Sequence, residues 1–185
     1  HPDLVDNIEI NAAEAIAAGI ADADLDGIVT LAEAALVVPD LDGDGAVTPK
    51  DVLAFASDGV DDDDNGYVDD LVGWDFEEDD NDPTDTYGHG TGRAGISAAT
   101  FDNGLGMAGV CPGCRILPVR YGRTFVAAPD KLAEAVAYAA DRGASASVMA
   151  TGSLGNSIAL REAIAYADRT GVVQCSAIGN ERARH

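Results

Sequence analysis

Apolar and polar positions alternate with two different periods along this chain. In "APDKLAEAVAYAADRG" (128–143), Ala133, Val136, Ala137 and Ala140 fall on one helical stripe, with Gly143 just past the end. "SIALREAIAYADRTG" (157–171) has the same period and also closes on glycine. "GHGTGRAGISAAT" (88–100) reads as a helix entered through glycines. Between these lie short apolar runs rich in β-branched residues, "CRILPVRY" (114–121), "ASVMA" (146–150) and "VVQCSAIGN" (172–180), which read as buried strands. Strands alternating with helices of this length predict parallel crossovers and an α/β sheet. Function in such sheets sits at the carboxyl ends of strands, where "GSLGN" (152–156) and "IGNE" (178–181) fall.

The first half has another texture. "NAAEAIAAGIA" (11–21) predicts an alanine-rich helix, and "LAEAALVV" (31–38) and "DVLAFAS" (51–57) predict two more. Acidic segments separate them. In "DADLDGIVTLAE" (22–33), Asp22, Asp24 and Asp26 occupy positions 1, 3 and 5 of a twelve-residue calcium loop. Gly27, Thr30 and Glu33 take positions 6, 9 and 12, and Ile28 offers its carbonyl at position 7. Alternate carboxylates turn inward, the glycine permits the bend, and the final acid can grip an ion with both oxygens. Val29 is placed to pair with a neighbouring loop. "DLDGDGAVTPKD" (40–51) repeats the pattern with Asp40, Asp42, Asp44, Gly45, Ala46, Thr48 and Asp51. Its closing aspartate is one methylene shorter than the glutamate. The two loops start only 18 positions apart, so the helix between them must be short or shared, as in dockerin-like modules.

A third acidic stretch, "DDDDNGYVDD" (61–70), offers Asp61, Asp63, Asn65 and the Tyr67 carbonyl. Position 12 is Val72, so Asp69 or Asp70 must close this site, and Asp70 is taken as the ligand. "EDDNDPTD" (78–85) adds Asp80, Asp82 and Asp85, with Asn81 as a further oxygen donor, and each of these two stretches is either a calcium site or a solvated loop. Formal net charge is −22, with the aspartates crowded into residues 22–85. Packed like charges destabilise a fold unless cations neutralise them, which predicts bound calcium in this half. The same charge disfavours nucleic acid and anionic membrane surfaces as partners. No apolar run approaches the roughly 20 residues that span a bilayer. "CPGC" (111–114) predicts a local disulfide or two plain thiols rather than a metal site, since no second ligand pair accompanies it.

His89 stands between glycines in "DTYGHGTGRAG" (85–95). By itself this is a turn. Several segments together change the reading. "HPDL" (1–4), "NIEINAAE" (7–14), the acidic run 61–85, "GHGT" with "AG" (88–95), "AGVCPGCRILPVR" (108–120), "SLG" (153–155) and "GNE" (179–181) occur in an order that resembles the subtilisin-like serine proteases, the subtilases. The resemblance covers residues 1–14 and roughly 59–185. It implies a three-layer α/β fold, a parallel sheet flanked by helices and here incomplete. On this resemblance, residues 1–14 and 59–185 would form a partial peptidase domain, and 15–58 a small helical EF-hand or dockerin-like calcium-binding insertion. His89 would be the general base, and Asn180 would donate to the tetrahedral oxyanion, a contact worth ~2.7–4 kcal/mol. Ser153, Leu154 and Gly155 would bind the substrate strand. The family's catalytic aspartate falls just before "HPDL" and its serine motif after residue 185. The chain therefore reads as an internal piece of a secreted, extracellular endopeptidase acting on protein or peptide, inactive alone. The alternatives are a calcium-binding module or an inactive homologue. A flavodoxin-like or Rossmann protein ranks last, because no GxGxxG follows the first strand. Gly92 replaces a frequent second histidine, Arg93 stands on a helix the family buries, and the run 143–155 is a few residues longer than usual.

Overall fold

The computed structural model describes residues 1–124, 126, 128–151 and 157–177. Among the described residues, six α-helices and four short strands follow one another as α1 (Ala12–Ala17), α2 (Leu31–Ala34), α3 (Pro49–Ala56), β1 (Trp74–Asp75), α4 (His89–Ala98), β2 (Val119–Arg120), α5 (Pro129–Asp141), β3 (Ala146–Met149), α6 (Ile158–Arg169) and β4 (Val173–Ser176). β1 pairs parallel with β2, and β3 pairs parallel with β4. An isolated parallel bridge, Ile8 to Ile116, ties the amino-terminal segment to the stretch before β2. The alternation of helices with parallel strands is the α/β arrangement expected. β1 was not foreseen, because its two residues sit inside an acidic run.

α5 is the hub. Pro129 opens it, suiting a first-turn position whose N–H has no helical partner anyway. The expected stripe is wider than the spacing suggests. Ala133, Val136 and Ala140 of that stripe are buried and Ala137 is half-buried, while Leu132, Ala135, Tyr138 and Ala139 are buried as well, because α5 packs on two sides. On one side, Leu132, Val136 and Ala140 meet Met149, Ala167 and Val172. On the other, Ala135 and Tyr138 join Trp74 and Phe76. Period-two alternation places Ser147 and Met149 of β3 toward the helices, while Val148 and Val173 stay exposed on the far face.

The acidic half forms its own core of Ile10, Ala15, Ile20, Val29, Leu31, Ala34, Val38, Val52, Ala56, Leu71 and Val72. Its members come both from 15–58 and from the flanks, and Val29 bridges antiparallel to Ile10 rather than to the second loop. α2 is a single turn, which is what the close spacing of the two loops required. Thr30 and Glu33 form a capping box at its start, and Thr48 and Asp51 form another on α3.

Candidate active site and acidic centres

His89 is the first residue of α4. Gly88 precedes it at φ +87°, a left-handed conformation that L side chains rarely adopt, so the bare glycine is a backbone requirement. As the helix cap, Gly88 has no side chain to satisfy the first amides. Asp85 does so instead. Its Oδ1 accepts from the N–H groups of Tyr87 (2.8 Å) and Gly88 (2.7 Å), and its Oδ2 accepts from the N–H and hydroxyl of Thr91 (2.8 Å each). Partial burial would raise this carboxyl, but the Thr91 and Gly88 amides and the Thr91 hydroxyl outweigh it and hold the group down at about 2. A carboxylate accepts at about four lone-pair sites, and all four are used within the turn. Asp85 thus organises the turn into the histidine helix.

The far end of α4 is tied down by the amino-terminal segment and the returning loop. Asn7 Nδ2 donates to the carbonyls of Ala98 (2.7 Å) and Pro112 (3.0 Å), and Thr100 N donates to Asp3 O. Buried Asp3 accepts from Asn103 Nδ2 and Met107 N. Cys111 N donates to Ser97 O, and Cys111 and Cys114 form a disulfide. Arg93 is exposed, so its charge sits in solvent rather than in a core. Ser153, Leu154, Gly155 and Asn180 lie outside the described residues.

The calcium-type loops bring together part of each expected ligand set. Oxygens of Asp22, Asp24 and Glu33 lie within 4.8 Å of one another, as do those of Asp40, Asp42 and Asp51. Asp22 accepts from the amides of Leu25 and Gly27, and Asp40 from those of Gly43 and Gly45. Asp26 and Asp44 accept from the amides of Ile28 and Ala46. Thr30 N and Oγ1 and Ala23 N hold the Glu33 carboxyl down at about 2. Burial opposes the same effect at Asp51, but Leu41 N and Thr48 N and Oγ1 prevail and lower it. The loop glycines Gly27, Gly45 and Gly66 all have positive φ, as position 6 demands.

The third centre departs most from its spacing. Oxygens of Asp63 and Asp70 converge with one of Glu14, which comes from α1. Asp61 instead accepts from Asn65 N and Gly66 N, while Asp69 accepts from Asp58 N and Gly59 N. Asn65 donates its side-chain amide to Asp70 (3.1 Å), and Asn11 bridges Asp63 (2.9 Å) and Asp70 (2.6 Å). Burial, then the neighbouring Asp70 and Asp63, push the Glu14 carboxyl up to about 7 against one amide bond from Asp62.

Asp70 is fully buried and also accepts from Tyr138 OH (2.7 Å) and Arg142 Nη1 (2.7 Å) of the α5 region. Arg142 Nη2 reaches both oxygens of Glu9 at 2.9 Å. Burial alone would make the guanidinium easier to deprotonate, but Glu9, then Tyr138 and Asp70, hold it firmly charged. Tyr67, expected only as a carbonyl donor, packs its ring edge-on against Trp74, Phe76 and Tyr138. Glu9, Glu14, Tyr138 and Arg142 escaped the sequence reading. The available signal was an acid placed alone on an alanine-rich helix.

A family model described as the subtilase family matches residues 1–184. Thermitase of Thermoactinomyces vulgaris is 41% identical over 114 residues, covering 58% of this chain and 39% of that protein. The thermophilic serine proteinase of Bacillus sp. strain AK1 is 40% identical over 111 residues, covering 60% and 28%. Fervidolysin of Fervidobacterium pennivorans is 35% identical over 99 residues, covering 50% and 14%. The chain thus spans well under half the length of these relatives. With the histidine helix placed and the match running over almost every residue, the chain belongs to the subtilase family.

Proposed function

We propose that this chain is part of a calcium-stabilised, secreted subtilisin-like serine endopeptidase. The observation that carries the reading is the family match over residues 1–184 with His89 opening α4 inside its motif. His89 takes the proton of a serine hydroxyl as that oxygen attacks the scissile carbonyl carbon. The side-chain amide of Asn180 donates to the oxyanion, and Ser153, Leu154 and Gly155 line the substrate strand. His89 then gives the proton to the leaving amine, and water hydrolyses the acyl-enzyme by the reverse sequence. The serine and the aspartate that orients the imidazole are assigned to the rest of the peptidase domain. Residues 1–185 alone are therefore expected to be inactive.

Calcium, when bound, neutralises packed carboxylates and cross-links loops. The donor chemistry fits: hard oxygens converge in three places. Asp22, Asp24, Asp26, Glu33, Thr30 and the Ile28 carbonyl would hold one ion. Asp40, Asp42, Asp44, Asp51, Thr48 and the Ala46 carbonyl would hold a second. Asp61, Asp63, Asn65, Asp70 and the Tyr67 carbonyl, with Glu14 added, would hold a third. Residues 15–58 act as a calcium-binding insertion within the peptidase domain. No helix among the described residues is long and apolar enough to cross a membrane. The Cys111–Cys114 disulfide suits an oxidising, extracellular setting.

The test is His89→Ala in the longer protease. Peptide turnover is expected to fall on the order of 10⁴-fold or more, the scale of a lost triad member in serine proteases, with circular dichroism unchanged. Full retained activity rejects the reading.

A further inference from the structure

We infer that Asp85 is a positioning residue for His89, fixing the turn from which the imidazole is presented. The inference rests on the proteolytic reading above and deepens it. The four bonds accepted by Asp85 straddle the histidine: Tyr87 and Gly88 before it, Thr91 after it. Both chain directions leaving His89 are therefore held by one carboxylate.

Ala98, at the far end, is the one buried residue of α4. The first turns contribute no buried side chain that could set the helix by fit. The polar ties of Asn7, Thr100 and Cys111 all act at the carboxyl end. At the histidine end the clamp is Asp85.

The chemistry suits the role. The first amides of a helix lack internal partners, and a negative charge beside them is favourable. Since Gly88 cannot cap them, a side chain from three residues upstream takes its place. Its four acceptor sites are filled by the turn, so the carboxylate is fixed by the donors on either side of His89. It stays charged through the neutral range, so the clamp persists wherever a neutral imidazole can work as a base. A misplacement of about 1 Å in a catalytic group can cost about 100-fold.

The test uses the longer protease with a peptide substrate, comparing Asp85→Asn, Thr91→Val and Thr91→Ser. Asp85→Asn puts donors against donors; kcat is expected to fall at least tenfold with KM within twofold. Thr91→Val removes one of the four bonds and should cost a few-fold in kcat. Thr91→Ser, which keeps the hydroxyl, should restore it. In a His89→Ala background, Asp85→Asn should cause no further loss. Wild-type kcat in Asp85→Asn, or a tenfold loss that persists without His89, overturns the inference while leaving the proteolytic reading intact. If Asp85→Asn fails to fold, the Thr91 pair decides: equal kcat in valine and serine variants overturns it. An active His89→Ala enzyme removes the proteolytic reading itself.

Discussion

The two halves of this molecule are ordered by different physics. From α5 to β4, apolar faces do the work: Leu132, Val136, Met149, Ala167 and Val172 interlock, and the charges of α6 face solvent. In residues 22–70, carboxylates shape the backbone: Asp22, Asp40 and Asp61 each fold a loop by accepting its amides. An apolar core is indifferent to ions. A set of converging carboxylates is not, because each acid that organises a turn also repels its neighbours. The same chain should therefore contain one region whose stability follows calcium and one whose stability does not. Arg142 joins them, donating from the α5 side to Asp70 and Glu9 on the acidic side.

The largest expected effect comes from breaking that joint. In chelator, Arg142→Ala leaves the buried Asp70 carboxylate without its counter-charge, at a cost of about 3–5 kcal/mol. Calorimetry should show the single transition splitting or falling steeply; an unchanged profile would mean that the halves are not coupled here. Leu132→Ala, in the apolar half, should cost about 2–5 kcal/mol equally with calcium and with chelator. A calcium-dependent cost would erase the distinction between the halves.

Chelation should act the other way. At calcium about 100 times its Kd, removing the ion costs about 2.7 kcal/mol per site. Hydrogen exchange should then rise in the loops at 22–33, 40–51 and 61–70 while α5 and α6 keep their protection. Uniform exchange would contradict the division.

The smallest effect concerns the turn before His89. The Asp85 carboxyl is depressed from 3.8 to about 2, so its contribution is complete above pH 3.8 and disappears as pH falls through about 2. An NMR titration of the Thr91 amide should report a midpoint near 2. A midpoint near 3.8 would show that the clamp is not formed.

Local patterns were legible in the sequence because local forces decide them. α5, α6, β3 and β4 follow from apolar period and glycine stops, and the loop glycines from their place in a repeat. Arg93 stands out in the sequence as a charge on a helix the family buries, and among the described residues α4 leaves it exposed. What escaped was polar and long-range. Tyr138 and Arg142 share one face of α5, but Glu9 and Asp70 stand in no periodic relation to them, and only the packing of the α5 end against these distant segments brings the four together. Asp85 was legible as an acid and not as a clamp, because "TDTYGHGT" does not reveal that Gly88 leaves the helix amides uncapped.

The proteolytic account is tested most directly by a structure of the longer protease with a peptidyl aldehyde or boronate bound. It predicts the His89 imidazole within about 2.6–3.2 Å of the serine-derived oxygen, and the Asn180 amide about 2.7–3.1 Å from the oxyanion of the same adduct. An adduct with His89 and Asn180 on opposite sides of the sheet would contradict it.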